Sequence, residues 1–257
     1  ELIREFHQTI TEDINYPRNV PGSYWDHRVV AGVYVPPESG AEVRNLMAEF
    51  VRWFNEGHAR EWDPIVRAIV AHFYVISIHP FGDGNGRTSR AVESYLLYQA
   101  GVNARGFYSL ANYYYRNRST YVQELDNVRF RTDPDLTPFV RFALKGLVEE
   151  LETVHGEVIS EIQIISFRDY AREILMNTNR LGTPVGERQF MFLLGLGREP
   201  VSLRALRAGG DPLSELYSDV TTKTLMRDIH FLEEQELIVV SGGLLRANLE
   251  VMGQFTA

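Results

Sequence analysis

The feature that most limits how this chain can fold is an apolar repeat at helical spacing between Phe139 and Ile165. No proline interrupts it, so the pattern predicts one or two long helices that lead into a second unit. Similar spacing predicts helices over residues 1–10, 41–56 and 64–78. The last of these is apolar on most of its circumference and is therefore predicted to be buried. The sequence predicts a mainly α-helical protein.

Two segments break the helical pattern. Residues 28–35 have the pattern strand, turn, strand, which predicts a small hairpin. Residues 188–257 contain three helical patterns followed by a second strand–turn–strand signal at 238–245. Helix, helix, helix, hairpin is the order of a winged helix. Asn, Gly, Thr and Pro cluster at 177–187, which we interpret as the boundary between the two units.

The composition excludes several classes of protein. The 257 residues include no cysteine, which rules out disulfides and thiolate metal sites. No apolar run approaches the roughly 18 residues of a membrane span, so we expect no membrane partner and take a soluble cytoplasmic protein as the default. The net charge of −8 argues against general nucleic-acid binding.

The segment HPFGDGNGRTSR, residues 79–90, combines groups that a simple turn does not need. Three alternating glycines let the backbone turn sharply and bring N–H groups close to a ligand. A new helix is predicted to begin near Arg87 or Thr88, and free N–H groups at a helix N-terminus bind anions. Arg87 and Arg90 lie on its first turn, where cations oppose the helix dipole and a bound anion would offset them. A loop satisfied by its own N–H groups and by water is the alternative.

Two further side chains of this segment point to a reaction. Asp83 can supply a hard oxygen ligand for Mg²⁺, which binds through one or two carboxylates plus substrate phosphates; a helix N-cap is the alternative. His79 can take the proton of a hydroxyl nucleophile; a helix-capping histidine is the alternative. Base, metal ligand, anion loop and arginines together indicate phosphoryl or nucleotidyl transfer. The spacing of a P-loop is absent.

The same segment matches H-x-F-x-[D/E]-G-N-G-R-x-x-R, the motif of the Fic family, at every specified position. The segment RVVAGVYVPP resembles the Fic flap hairpin, and NYYYRNRSTYVQEL resembles the helix that closes the nucleotide pocket. The resemblance implies a Fic domain over residues 1–150, a connecting helix over 151–180 and a winged-helix domain over 181–257, as in multidomain Fic proteins of bacteria.

The resemblance implies a protein adenylyltransferase, which moves AMP from ATP with Mg²⁺ to a Ser, Thr or Tyr hydroxyl of a protein. His79 would take the hydroxyl proton, Asp83 would hold Mg²⁺, and pyrophosphate would leave. The residues implied for the phosphates are Gly84, Asn85, Gly86, Arg87 and Arg90. Our candidates for adenine contacts are Asn117 and Tyr121. A protein target would pair with the flap, where the implied docking residues are Arg28, Val29, Val30, Val33 and Tyr34.

Other functions stay open at this point. The intact GNGR disfavours phosphate transfer, whereas phosphocholine transfer and removal of AMP use the same kind of site. A regulator that binds DNA through the winged helix is the alternative of a different class, with Lys223 and Arg227 on the candidate recognition helix. Residues 160–257 carry 10 Lys and Arg against 13 Asp and Glu, which favours protein docking or dimerisation instead. Self-modification and a homodimer are also open.

The resemblance also bears on regulation. Most Fic proteins carry an inhibitory helix, [S/T]-x-x-x-E-[G/N], whose Glu pairs with the second motif arginine, here Arg90. The one Glu-Gly pair, Glu56-Gly57, has Arg at position 52 and does not match. We therefore expect no inhibition in cis from these residues, with the inhibitory segment upstream of Glu1 or on another chain.

Three remaining residues are assigned no chemical role from the sequence. His72 lies seven residues before His79 on the same predicted helix face and is interpreted as a packed core histidine. Trp25 is interpreted as a packing residue, and His7 carries no spacing signal.

Overall fold

A computed structural model describes residues 1–26, 34, 36–103, 106, 109–197 and 199–255. The predicted hairpin at 28–35 lies outside this part of the chain except for Tyr34. The chain divides into two compact units, Glu1–Val154 and His155–Ala257. The domain boundaries expected near residues 150 and 180 remain predictions.

The protein is mainly α-helical, as predicted. The helices of the first unit are α1 (Leu2–Thr11), α2 (Gly40–Glu56), α3 (Pro64–Ile78), α4 (Asn85–Gln99), α5 (Leu110–Arg116) and α6 (Arg118–Arg129), with a 3₁₀ turn at His58–Glu61. Helix α7 (Thr137–Asn177) has 41 residues and begins in the first unit and ends in the second. Within the described ranges, no helix is both long and apolar enough to span a membrane.

Helix α3 is the central element of the first unit. It begins cleanly because Asp63 accepts hydrogen bonds from the N–H groups of Ile65 and Val66, and Pro64 occupies the first helical position. One side of α3 packs in an apolar cluster with α5, α6 and α7, and the other side packs with α2 and Trp25. Because both sides are covered, the end of α3 has a fixed position, and His79 follows directly after it.

The segment NYYYRNRSTYVQEL, residues 112–125, differs from the single helix that the resemblance implied. It forms two helices that meet at Asn117, whose backbone leaves the helical region with φ −110° and ψ 35°. Helix α6 then continues to Arg129, one turn further than expected. This extra turn brings Arg129 to the end of α3.

The second unit contains α8 (Pro184–Gly195), β1 (Val201–Ser202), α9 (Leu203–Ala208), α10 (Thr222–Glu234), β2 (Ile238–Ser241) and β3 (Leu244–Ala247). The predicted terminal hairpin is present, since β2 pairs antiparallel with β3, and β1 completes a sheet in the order β1-β3-β2. Thr221 caps α10, because its side chain accepts a hydrogen bond from the Thr224 N–H, and a 3₁₀ turn over Pro212–Tyr217 precedes it.

A buried ion pair fixes α8 against α10. The Arg188 guanidinium donates two hydrogen bonds, of 2.9 and 2.7 Å, to one oxygen of the fully buried Asp228. The Gln189 amide donates to the other oxygen at 2.9 Å. Since Asp228 points inward, the solvent face of α10 is left to other residues, among them the exposed Lys223 and Arg227. Their predicted role in DNA binding remains a prediction.

The two glycines of α7 provide a test of the packing. A Cβ at Gly146 would overlap the Tyr113 ring, whereas a Cβ at Gly156 would meet nothing within 4 Å. We expect Gly146→Ala to lower the free energy of unfolding by about 1–3 kcal/mol through overpacking. The control Gly156→Ala should raise it by roughly 0.5–1 kcal/mol, because it only improves helix propensity. Denaturant unfolding followed by circular dichroism measures both, and equal stability of the two variants would contradict the packing.

Candidate active site

His79 holds an unusual backbone conformation at the end of α3. Its φ of 54° and ψ of 56° lie in the left-handed region, which non-glycine residues seldom adopt. Backbone hydrogen bonds hold it there. The His79 N–H donates to the Val75 carbonyl at 3.1 Å, and the Trp25 indole N–H donates to the His79 carbonyl at 2.7 Å. The Trp25 backbone N–H also donates to the Pro80 carbonyl at 3.0 Å.

A further hydrogen bond, made by the His79 ring, determines which nitrogen carries the proton. Nδ1 of His79 lies 3.2 Å from the Ile76 carbonyl oxygen, which can only accept, so Nδ1 carries the proton. In the neutral ring, Nε2 is therefore unprotonated. Burial lowers the pKa of His79 to about 4, and the positive charge of Arg129 adds to this effect. The imidazole is thus neutral at physiological pH and can accept a proton at Nε2.

His7 of α1 supports the loop that follows His79. The Phe81 ring is fully buried and stacks on the His7 ring, with centroids 3.7 Å apart and planes 4° from parallel. Nδ1 of His7 accepts from the Gly22 N–H at 2.9 Å, so its Nε2 carries the proton, which it donates to the Asp83 carbonyl at 3.0 Å. His7 therefore positions the backbone of this loop through two polar contacts and one stacking contact.

The loop is closed by Asn85. Its amide accepts from the Phe81 N–H at 2.9 Å and donates to the Phe81 carbonyl at 2.7 Å, and the side chain is 2% exposed. Gly84 has φ 78°, and a Cβ there would lie 2.8 Å from the Thr11 side chain. Helix α4 consequently begins at Asn85, two to three residues earlier than predicted, and its first N–H groups have no intrahelical acceptor. The Asn85 amide is occupied within the loop, so only its backbone N–H is available to a phosphate.

Asp83 and Arg87 form an ion pair at the surface of the loop. Their side chains are 2.7 Å apart and about one third exposed. The described residues hold no group of three or more His, Asp or Glu side chains that could bind a metal alone. One accessible carboxylate fits Mg²⁺ that arrives with phosphate oxygens and water, since this ion is usually bound in that way.

A cavity of about 790 Å³ opens beside His79. Five of the predicted residues lie on its wall, namely Tyr34, His79, Gly86, Arg90 and Tyr121, and α5 and α6 add Asn112, Tyr115, Arg118, Asp126 and Arg129. Asn117 is not among the lining residues that the structure describes; its amide donates to the Tyr113 carbonyl at 3.1 Å. Its contact with adenine remains a prediction.

A buried polar network stands behind the Tyr121 wall of the cavity. The Tyr121 hydroxyl is 2.9 Å from Nε2 of His72, and Nδ1 of His72 is 3.2 Å from the Glu93 carboxylate. The Tyr114 hydroxyl donates to the other Glu93 oxygen at 2.7 Å. Burial raises the pKa of both tyrosines, so both hydroxyls remain protonated donors. Tyr121 therefore lines the cavity with its ring, while its hydroxyl is hydrogen-bonded to His72 in the core.

Three residues contribute to the site although their sequence pattern indicated no chemical role. His7 and Trp25 hold the loop, and Arg129 lies on the cavity wall beside His79. His7 and Trp25 belong to segments before α2 and can reach the loop only through tertiary contacts. A prediction of α6 to its full length would have identified Arg129 as a cation in the last turn of that helix.

Residues 1–97 match the sequence profile of a known family, described as the Fic/DOC family. A protein named Protein adenylyltransferase Fic from Drosophila ananassae is 37% identical over 121 residues, or 47% of this chain and 22% of that protein. The protein of the same name from Drosophila erecta is 33% identical over 149 residues, or 55% of this chain and 28% of that protein. The matches thus span less than a third of these relatives.

Among solved structures, the chain resembles a Fic family protein from Desulfovibrio desulfuricans G20. The TM-score is 0.51 and the sequences are 18% identical, covering 95% of this chain and 67% of the other. At this identity the likeness establishes the fold alone.

The lowered pKa of His79 makes the free energy of unfolding depend on pH. The folded protein keeps His79 neutral down to about pH 4, whereas the unfolded chain protonates this histidine near pH 6.5. The unfolded state therefore binds more protons between these values, and the folded state loses stability as the pH falls from 6.5 to about 4. We expect His79→Asn to reduce the loss of stability between pH 7 and pH 4.5 by about 2–3 kcal/mol. Denaturant unfolding at both pH values measures this. His58→Gln, which changes an exposed histidine, is the control and should leave the loss unchanged; equal losses in all three proteins would refute the assignment.

Proposed function

We propose a function from the premise that residues 1–97 of this chain form a domain of the Fic/DOC family. The function is transfer of AMP from ATP to a hydroxyl group of a protein. The observation that carries the proposal is the neutral His79 imidazole, with unprotonated Nε2, on the wall of a cavity that also holds Arg90 and the first turn of α4. The names of the curated relatives support the same activity.

The chain's own groups account for the reaction as follows. Nε2 of His79 takes the proton from the hydroxyl of the target as its oxygen forms a bond to the α-phosphorus. The bond between the α-phosphorus and the bridging oxygen breaks, and pyrophosphate leaves. The free N–H groups at the start of α4 and the guanidinium of Arg90 hold the phosphate oxygens as negative charge shifts to the leaving group.

Asp83 would hold Mg²⁺, which neutralises phosphate charge and favours departure of pyrophosphate. Because Arg87 is paired with Asp83, it lies where it can turn from that carboxylate to a phosphate once the metal occupies Asp83. Within the described ranges, Arg90 makes no ion pair and is already directed to the cavity.

The target would dock beside Tyr34, the one described residue of the segment implied as a flap. The Tyr34 hydroxyl donates to the Ser77 carbonyl at 2.7 Å, and its ring lies over Arg129 at 4.0 Å. Tyr34 is therefore held at the end of α3, next to His79. A strand added to such a segment would bring a hydroxyl into the cavity with little demand on its sequence.

The proposal predicts covalent labelling of protein from the α-phosphate of ATP. The purified chain incubated with ATP and Mg²⁺ should gain one AMP group at an exposed hydroxyl of its own, seen by intact-mass spectrometry. Label should transfer from α-³²P-ATP and not from γ-³²P-ATP. His79→Ala should lower the rate by about 10²–10⁴-fold, because the general base is lost.

The control is nucleotide binding by His79→Ala, which should persist because phosphate and adenine contacts remain. Transfer of label from the γ-position would contradict AMP transfer. Labelling that is unchanged in His79→Ala would contradict the role of His79.

A further inference from the structure

Arg129 is a buried cation at the end of α6, and its side chain is 8% exposed. Its Nε donates to the Ser77 hydroxyl at 3.1 Å, and its Nη2 donates to the Ile76 carbonyl at 3.0 Å. Its guanidinium lies 4.0 Å from the centre of the Tyr34 ring. Every one of these contacts is made with the last turn of α3 or with Tyr34, so Arg129 ties α6 to the segment that precedes His79.

The carboxylate nearest to Arg129 does not neutralise it fully. Nη1 lies 3.7 Å from the Asp126 carboxylate, which is longer than a charge-assisted hydrogen bond. Burial lowers the pKa of Arg129, yet an arginine stays protonated at every pH at which the protein is folded. A positive charge is therefore left on the cavity wall.

Arg129 and His79 share one acceptor. The Ile76 carbonyl accepts from Nη2 of Arg129 at 3.0 Å and lies 3.2 Å from Nδ1 of His79. A carbonyl oxygen has two lone pairs, so both donors can be satisfied together. Because Arg129 fixes this carbonyl from the other side, it also fixes the atom that selects the Nδ1–H tautomer of His79.

The charge of Arg129 lowers the pKa of His79, whereas the hydrogen bond to the Ile76 carbonyl selects the Nδ1–H tautomer and raises that pKa. The charges that act on His79 are those of Arg129 and Asp83. The other ionisable residues that line the same cavity are Tyr34, Arg90, Tyr114, Tyr115, Arg118, Tyr121 and Asp126. Arg129 has the largest effect of a charge on the pKa of His79, and it lowers that pKa. Among the charges, Asp83 opposes it more weakly, and the Asp83 carboxylate is paired with Arg87.

We propose that Arg129 is a positioning residue for the reaction, which holds the end of α3 and keeps the His79 imidazole in the neutral Nδ1–H form with Nε2 free to accept a proton. The proposal deepens the function proposed above and rests on it only for the effect on AMP transfer. The state of the imidazole can be measured without any reaction.

The test compares wild-type protein with Arg129→Gln, Arg129→Lys and Arg131→Gln. Arg131 is exposed and lies two residues away, so its variant removes the same charge without touching the site. The first readout is the imidazole titration by NMR, with the His79 signals identified by their loss in His79→Asn. We expect Arg129→Gln to raise the titration midpoint of His79 by about one to two pH units. Arg129→Lys and Arg131→Gln should keep it near the wild-type value.

The second readout is the rate of AMP transfer between pH 5 and pH 8. Relative to the wild type, Arg129→Gln should lose about two- to tenfold more activity at pH 5 than at pH 8, because a larger fraction of its His79 is protonated in acid. A merely structural role would lower the rate equally at all pH values and leave the titration of His79 unchanged, which would overturn the proposal.

The two proposals fail in different ways. If no AMP is transferred by the wild type, the NMR midpoint still decides the role of Arg129. If Arg129→Gln does not fold, Arg129→Met takes its place, because it also removes the charge and keeps a long apolar side chain: a raised midpoint supports the proposal, and a midpoint equal to that of the wild type overturns it.

Discussion

A non-glycine residue in the left-handed region costs on the order of 1–3 kcal/mol, and the site depends on His79 holding that conformation. The chain must leave the buried helix α3 and enter α4 within seven residues, so the reversal cannot be spread over a longer loop. The left-handed backbone turns the His79 ring toward the cavity. Its cost is offset by bonds to Val75, Ile76 and Trp25, and by the packing that fixes the end of α3.

Rigid supports surround this turn on two sides. On one side, the stacked rings of His7 and Phe81 and the amide of Asn85 fix the loop backbone. On the other side, the network of His72, Glu93 and Tyr121 fixes the wall formed by α4 and α6. The donors and acceptors of this network form a complete chain from the Tyr121 hydroxyl through His72 to Glu93. A buried network of this kind favours a single arrangement, because breaking one bond leaves an unpaired polar group in the core.

The sequence predicts those parts of the molecule in which local pattern and tertiary structure agree. Apolar spacing predicts α2, α3 and α7, and the glycines and arginines of residues 79–90 predict a loop that leads into a helix. The same reasoning fails at Asn117 and Arg129, where tertiary packing divides one helical pattern and extends its second half. His72 was expected in the core, and it is buried, but its hydrogen-bond partners are 21 and 49 residues away. Spacing along one helix does not reveal such contacts.

The charges of the cavity wall affect both the binding of an anion and the pKa of His79. Arg90, Arg118 and Arg129 line it against the single lining carboxylate of Asp126 among the described residues, so its wall favours a polyanion. Of these charges, that of Arg129 adds to the effect of burial and helps to keep His79 unprotonated. The same wall therefore favours binding of phosphates and keeps the base beside them free of a proton.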